Sequence, residues 1–235
     1  MKLMMSGETT MRWNLMATAS TIVLFLSGPS PAADRVEGTP LLTAQAEDGM
    51  IAGWKSFHDP LIKTGEVWKL ADGVLSCNGL PKGYLYTEKA YTDFVLVLEW
   101  RIPPGTKPGN GGVLLRMSGK DGIWPKSLEA QLNAGSEGDF WGLDGYELSG
   151  LAERLNKVQH EQFGKLTNLQ RIKCAVHKPG EWNRYKITAI GGTVTLTING
   201  QEVNQATGCD IIAGPICLTA EGDVIQFRKI QITER

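Results

Sequence analysis

Acidic, basic and amide side chains alternate with apolar ones along three segments of the chain. The first segment carries Glu99 and Arg101, and the other two carry the remaining four: Asn110, Arg116, Glu129 and Gln131. These side chains form planar, directional hydrogen bonds of the kind that suit sugar hydroxyls, and lysine is absent from the six positions. If the segments are neighbouring strands, the side chains cluster on one sheet surface. The same pattern also fits a solvated outer face with surface ion pairs, which stabilise a fold little.

Two carboxylates on one surface could perform acid–base chemistry. Ordinary glycoside hydrolysis needs an acid and a second carboxylate flanking the bond, and Glu99 and Glu129 could form that pair. The Glu-x-Asp-x-x-Glu array of sandwich glucanases is missing from the sequence. Zinc-motif spacing, a GxSxG turn and a Gly-rich phosphate loop at a helix start are missing as well. The sequence therefore directs attention to carboxylates rather than to a nucleophilic serine or cysteine.

Two tryptophans and one histidine are further candidates for ligand contact. Trp124 and Trp141 lie in polar stretches rich in Gly and Asp, where an indole face could stack on a sugar or pack onto the protein itself. His177 precedes the turn Lys178-Pro179-Gly180 and could reach the edge of a cleft, although a lone loop histidine is usually just exposed. The other tryptophans of the mature chain lie in strand-like segments and are predicted to be core residues: Trp54, Trp68, Trp100 and Trp182.

Alternating apolar residues predict the strands that position these groups. The clearest strand spans 93–102, with Phe94, Leu96, Leu98, Trp100 and Ile102 on one face. Residues 111–117 and 127–134 repeat the pattern, and the turns Asp72-Gly73, Gly191-Gly192 and Asn199-Gly200 predict hairpins. Leucines spaced three and four apart predict one short helix within 147–159. Ten to twelve short strands, as counted from these patterns, predict a single all-β antiparallel sandwich.

The first residues have the features of an export signal. Lys2 and Arg12 precede an apolar run over 13–26, followed by small residues and a cleavage site after Ala32. We therefore expect a signal peptide over 1–32, an arm over 33–52 and one sandwich domain over 53–235, in a secreted or periplasmic protein. An uncleaved membrane anchor is the alternative; after removal of the signal, no segment is long enough to span a membrane.

The net charge bears on the kind of binding partner, and the cysteine content bears on disulfide formation. The net charge is −1 and no basic patch is evident, which argues against nucleic acid. Export makes Cys77, Cys174, Cys209 and Cys217 eligible for disulfides, and four cysteines allow three pairings. Buried free thiols or a single bridge are the expectation.

Seven sequence segments, in this order and spacing, resemble the bacterial 3-keto-disaccharide hydrolase domain family. They are GWKSF (53–57), WKLADGVL (68–75), YTDFVLVLEWR (91–101), NGGVLLR (110–116), EAQL (129–132), GEWN (180–183) and ING (198–200). The resemblance covers 53–233 and implies a concanavalin A-like lectin/glucanase jelly roll. Many members have Asn-Ser-Gly where this chain has Asn110-Gly111-Gly112, and 143–175 match the family pattern poorly.

The resemblance also implies action on sugars oxidised at carbon 3. A 3-keto group acidifies the hydrogen on carbon 2, so a base can remove it and the enolate can expel the group on carbon 1 before water adds back. The candidate base is Glu129 or Glu99, and Arg116, or a bound divalent metal ion, would stabilise the enolate oxygen. The other candidates would bind the carbohydrate: Gln131, Asn110, Arg101, Trp141, Trp124 and His177. A non-catalytic carbohydrate-binding module and an interaction domain without a sugar site are the alternatives.

Overall fold

A computed structural model describes residues 38–46 and 49–235, and its described part belongs to one compact unit. The expected signal peptide over 1–32 lies outside the described residues. The strands are β1 (Thr39–Pro40), β2 (Trp54–His58), β3 (Trp68–Ala71), β4 (Val74–Cys77), β5 (Gly83–Thr87), β6 (Phe94–Arg101), β7 (Gly112–Ser118), β8 (Lys126–Gln131), β9 (Phe140–Leu143), β10 (Leu155–His160), β11 (Gly164–Leu169), β12 (Asn183–Ile190), β13 (Thr193–Ile198), β14 (Gln201–Ala206), β15 (Cys217–Ala220) and β16 (Ile225–Glu234).

These strands form two antiparallel sheets of eight strands each within the described residues. We call the first the front sheet, with the order β10-β11-β9-β8-β7-β15-β5-β2. The second is the back sheet, with the order β14-β13-β12-β6-β16-β4-β3, and β1 pairs with β16. The predicted all-β sandwich is therefore confirmed.

The core lies between the sheets, where the alternating patterns predicted it. Leu96, Leu98 and Trp100 of β6 are at most 3% exposed, and Leu128 and Ala130 of β8 are fully buried. The Asp72-Gly73 turn joins β3 to β4, and the other two predicted turns join β12, β13 and β14 as successive hairpins. Local alternation sufficed here because each inward row is apolar and each turn has residues that accept positive φ.

The short helix predicted within 147–159 is present only as a 3-10 turn at Ala152–Arg154. Residues 155–160 form β10, which pairs with β11 from Leu155 opposite Leu169 to His160 opposite Gly164. The spacing of the leucines was coincidental, because Leu148 is buried whereas Leu151 and Val158 are 58% and 48% exposed. Helical structure in the described residues is confined to α1 (Thr64–Val67) and a 3-10 turn at Ala152–Arg154.

Two smaller expectations concern the thiols and the membrane. All four cysteines are free in the described residues, and Cys77, Cys209 and Cys217 are buried. Burial raises the pKa of the Cys77 thiol to about 12, and hence keeps it protonated. Within the described residues, we find no helix with the length and apolar character needed to cross a membrane.

Candidate functional site

The outer face of the front sheet, turned away from the core, carries a second apolar cluster and the two predicted site residues of β8. Cross-strand pairing puts Glu129 directly between Leu114 of β7 and Trp141 of β9. Gln131 pairs with Gly112 in the next row. Because side chains of paired residues in adjacent strands point to the same face, Glu129, Gln131 and Trp141 share one surface.

A cavity of about 310 Å³ opens on this surface. It is bounded by polar groups at one end and by aromatic and aliphatic side chains elsewhere: Asn110, Trp124, Glu129, Gln131, Trp141, Leu143, Val158, His160, Leu166 and Glu221. Five of the predicted site residues therefore come together: Asn110, Trp124, Glu129, Gln131 and Trp141. A mostly apolar cavity with a few converging polar groups is typical of a small-molecule site.

Glu129 is the most deeply buried carboxylate of the cavity. It is 4% exposed, and its Oε1 has no hydrogen-bond partner among the described residues. Burial, together with the charge of Glu221 beside it, raises its pKa well above the ordinary value of 4.5. Glu129 therefore holds its proton more tightly than an exposed glutamate does.

Glu221 is the second carboxylate of the cavity, and it follows β15 directly. Thr219 Oγ1 donates to Glu221 Oε1 at 2.7 Å, and Asn110 Nδ2 donates to Glu221 Oε2 at 2.7 Å. Burial raises the pKa of Glu221, whereas hydrogen bonds from Thr219 and Trp124 and the charge of Lys82 oppose that rise. Since Glu129 has no such donors among the described residues, Glu221 is the member of the pair whose charged form is better stabilised, and Glu129 is the one that holds a proton more tightly.

The raised pKa of Glu129 predicts that the free energy of unfolding depends on pH. Folded Glu129 binds its proton more tightly than the unfolded chain does, so the free energy of unfolding falls as pH rises from about 5 to the raised pKa, by up to about 1.4 kcal/mol per pH unit. We expect Glu129→Gln to flatten this decline, so that the variant gains stability relative to wild type as pH increases. Urea unfolding between pH 5 and 8 measures it, with Glu202→Gln, an exposed glutamate of β14, as the control. Parallel curves for wild type and Glu129→Gln would contradict the assignment.

Asn110, which precedes β7, donates hydrogen bonds to Glu221 and to Asp223. Its backbone N–H donates to Asp223 Oδ2 at 3.0 Å, while its side-chain Nδ2 is taken by Glu221. Its Oδ1 is buried without a partner among the described residues. This acceptor is therefore available to a ligand that carries a hydroxyl.

Gln131 has less freedom than its position suggests. Its Oε1 accepts from the backbone N–H groups of Leu132 and Asn133, both at 2.9 Å. The side chain thus caps the turn that follows β8, and only its Nε2 remains to contact a ligand.

Aromatic rings form one wall of the cavity. The Trp124 and Phe163 ring centroids are 4.1 Å apart, and the His160 and Phe163 centroids are 4.7 Å apart. His160 Nδ1 accepts from the backbone N–H groups of Gln162 and Phe163 at 3.1 and 3.3 Å. The neutral imidazole therefore carries its proton on Nε2 and is a donor on that side.

Glu99 and Arg101 do not belong to this cavity, which corrects the sequence prediction. Their strand, β6, pairs with β12 and β16 in the back sheet, so it is not a neighbour of β7 or β8. Glu99 accepts from Arg228 at 2.5 Å and from Lys229 at 2.9 Å. Glu99, Arg228 and Lys229 therefore form a surface ion-pair cluster, the alternative considered for the whole pattern, while Arg101 donates to Gln226 Oε1 beside it.

Trp182 was predicted to be a core residue and is only partly buried. Its ring packs against the guanidinium groups of Arg101 and Arg228, whose Cζ atoms lie 4.4 and 4.0 Å from the ring centroid. The reason is that Trp182 precedes β12 on the outer face of the back sheet, where cations replace apolar neighbours.

Arg116 and His177 are also placed away from the carboxylates. A bulge in β7 gives Arg116 a φ of +52° and buries it fully. Its guanidinium donates hydrogen bonds to Thr92 O, Asp210 O and Asp93 Oδ1 at 2.9, 2.9 and 3.1 Å. Arg116 therefore links the segments around residues 92–93 and 210 and does not line the cavity. His177 lines a separate cavity of about 270 Å³ with Trp100 and several prolines.

Glu221, His160 and Asp223 were missed by sequence reasoning. Glu221 and Asp223 flank Gly222 at the end of a strand, which is a signal for a polar turn but not for a site. His160 directly follows the segment that was assigned to a helix, and its sequence neighbours gave no sign of a strand. Within the described residues, no group of three or more His, Cys, Asp or Glu side chains could hold a metal ion.

Solved structures share this architecture. A candidate glycosyl hydrolase from Parabacteroides distasonis is 23% identical, with 85% of this chain and 100% of that chain covered and a TM-score of 0.55. Carbohydrate-binding module CBM66 from Bacillus subtilis is 14% identical, with 78% and 96% covered and a TM-score of 0.55. A Bacillus licheniformis β-glucanase is 10% identical, with 86% and 100% covered and a TM-score of 0.54. At these identities the similarity establishes the fold alone.

The family comparison is more specific than the fold comparison. No curated protein matches the chain. The family model described as the 3-keto-alpha-glucoside-1,2-lyase-like domain matches residues 45–233, which include the whole front sheet and every residue that lines the 310 Å³ cavity. A carbohydrate-related function is therefore supported, and the chain belongs to the 3-keto-alpha-glucoside-1,2-lyase-like domain family.

Proposed function

We propose that this protein is an exported enzyme that cleaves 3-keto-glycosides, with the 310 Å³ cavity as its active site. The observation that carries the proposal is the Glu129–Glu221 pair, in which burial raises the pKa of both carboxyl groups and hydrogen bonds from Thr219 and Trp124 oppose that rise at Glu221 alone. Two titratable groups whose pKa values are separated by their surroundings are suited to be an acid and a base. The family match supports the choice of keto-sugar substrate.

In the proposed reaction, Glu221 is the base and Glu129 is the acid. Glu221 takes the proton from carbon 2 of the 3-keto-glycoside, and the electron pair of that C–H bond forms the enolate. As the ketone is restored, a double bond forms between carbons 1 and 2 and the bond from carbon 1 to the leaving oxygen breaks. Glu129 gives its proton to that oxygen, so the products are an unsaturated keto sugar and an alcohol. Water can then add to the double bond in a separate step.

This assignment differs from the sequence expectation, which placed the base at Glu129 or Glu99. Glu129 holds its proton more tightly and is therefore the weaker candidate for a base, whereas Glu221 accepts hydrogen bonds from Thr219 and Asn110, which favour its charged form and orient it. Asn110 Oδ1 would accept a substrate hydroxyl, and Trp141, next to Glu129 in the row, would stack on the sugar ring.

Direct hydrolysis of an unoxidised glycoside is the second candidate. An acid and an ionised carboxylate in one cavity are also what such hydrolysis requires. The two reactions differ in the substrate, because elimination needs the 3-keto group to acidify carbon 2.

The deciding experiment compares a 3-keto-disaccharide with its unoxidised parent on the purified protein. We expect release of the leaving sugar and ultraviolet absorbance of the conjugated product from the keto compound alone. Cleavage of the parent at a similar rate would favour hydrolysis. Binding of either sugar without any product would favour a non-catalytic carbohydrate-binding module and would overturn the proposal.

The proposal places the enzyme in the periplasm or outside the cell. Its support is the charged, apolar and small-residue pattern over 1–32 in the sequence. Export would bring the cavity into contact with oxidised glycosides before they enter the cell.

A further inference from the structure

The cavity has a second region beyond its carboxylates. In the front sheet, β9 continues from Trp141 to Leu143, two residues or about 7 Å along the strand. Val158 of β10 pairs with Leu166 of β11. These two side chains and that of Leu143 line the same cavity. Leu143 and Leu166 are 3% and 6% exposed, whereas Val158 is 48% exposed at the rim. We call Leu143, Val158 and Leu166 the aliphatic row.

The opposite wall of this region is aromatic. Trp124 packs against Phe163 with the two ring planes inclined at 49°, and both rings pack with the outer-face cluster that includes Leu143 and Leu166. The polar groups of the cavity are concentrated at its other end, where Asn110, Glu129, Gln131 and Glu221 lie. A bound molecule therefore meets hydrogen-bonding groups at one end and hydrocarbon at the other.

This division bears on the group that leaves from carbon 1. A second sugar over the aliphatic row would bury hydroxyls with few partners, and an unpaired buried hydroxyl weakens binding. An apolar ring in the same place strengthens binding, because its apolar surface is removed from water. The row therefore selects against a sugar and in favour of a hydrocarbon group.

His160 marks the far end of the aliphatic row. It lies two residues after Val158 on β10, so the two side chains are on the same face of the strand. Its Nε2–H is the donor left over once Nδ1 has accepted from Gln162 and Phe163. An oxygen substituent at the end of an aromatic ring would meet this donor.

We infer that the preferred substrates are 3-keto-glycosides of aromatic alcohols rather than of a second sugar, with the aromatic group held between the aliphatic row and Trp124. The inference rests on the proposed glycoside cleavage and adds the class of aglycone. The sugar occupies the carboxylate end, its carbon 1 facing Trp141 and Leu143, and the expelled aromatic alcohol takes the proton of Glu129.

The experiment compares three 3-keto-glucosides that share the sugar and differ in the group on carbon 1: methyl, benzyl and glucosyl. Benzyl is chosen over phenyl because benzyl alcohol and a sugar hydroxyl leave with similar ease, so that differences in kcat/KM report binding. We expect the benzyl compound to exceed both others by at least about tenfold. Equal or higher kcat/KM for the glucosyl compound would overturn the inference.

A variant pair tests the aliphatic row itself. Val158→Ser removes two partly exposed methyl groups and should lower kcat/KM for the benzyl compound by about 3- to 10-fold without affecting the methyl compound. Ile190→Ser, which changes a 45% exposed residue at the end of β12, should affect neither. An unchanged benzyl preference in Val158→Ser would contradict the inference.

A binding measurement separates this inference from the proposed reaction. Calorimetry with unoxidised benzyl glucoside and unoxidised disaccharide needs no turnover. Tighter binding of the benzyl compound, weakened in Val158→Ser, would support the aglycone site even if no keto compound reacts, in which case only the proposed reaction fails. Turnover with tighter disaccharide binding would leave the reaction standing and overturn the aglycone site.

Discussion

Glu221→Gln is expected to lower kcat for a 3-keto-glycoside by about 10²–10⁴-fold, the range over which a positioned acid or base contributes. Glutamine keeps the size of the side chain and an oxygen for the hydrogen bond from Asn110 or Thr219, but it cannot take the proton from carbon 2. The expected loss is therefore in kcat, with KM changed much less. Steady-state kinetics on the purified variant measure both.

Two control variants distinguish the loss of proton abstraction from a general disturbance of the site. Asp223→Asn alters a carboxylate that bonds only the backbone N–H of Asn110 in the site, so its loss should be smaller than that of Glu221→Gln. Glu202→Gln on β14 should behave as wild type. Turnover by Glu221→Gln within threefold of wild type would remove Glu221 from the role of base.

Gly112→Ala is expected to lower kcat by about 100-fold without unfolding the protein. A Cβ built on Gly112 lies 2.0 Å from Glu129 Oε1, so the carboxyl group must move away from its present position. Gly112 lies in β7 and its φ is outside the left-handed region, which means that alanine suits its backbone. A displacement of about 1 Å in a reacting group can cost about two orders of magnitude in rate.

Gly192→Ala provides the matched control. It adds the same methyl group to the turn after β12, where the nearest neighbour would be the Cys209 backbone at an ordinary 3.5 Å. In addition, Gly112→Ala combined with Glu129→Gln should lose little more than either change alone, because both act through the same carboxyl group. Fully additive losses would show that Gly112 matters for a reason other than Glu129.

The strands were predictable from sequence because their pattern is local. In β6 and β8, alternation between apolar and polar residues was enough to assign the buried face. The sheet to which each strand belongs was not predictable, since β6 pairs with strands from the last third of the chain whereas β7 and β8 lie in the other sheet. Glu99 and Glu129 therefore have equivalent patterns and lie on opposite sides of the sandwich.

The site was predictable only in part for the same physical reason. Glu129, Gln131 and Trp141 lie on neighbouring strands β8 and β9, and Asn110 precedes β7. Glu221 directly follows β15, which pairs with β7, and no local sequence pattern predicts that pairing. The error at Arg116 has another cause, because the bulge in β7 breaks the period-two rule and turns a residue expected on the cavity face into the interior.

The hydrogen bond between Gly112 and Thr219 joins residues that are 107 positions apart, and it holds β7 and β15 together beneath the two carboxylates. Closing so long a loop has a large entropic cost, and contacts of high sequence separation form slowly. The hairpins of β12, β13 and β14 need only neighbouring residues and can form early. The cavity, by contrast, cannot exist until the C-terminal strands have been synthesised and paired, so the proposed active site is completed late in folding.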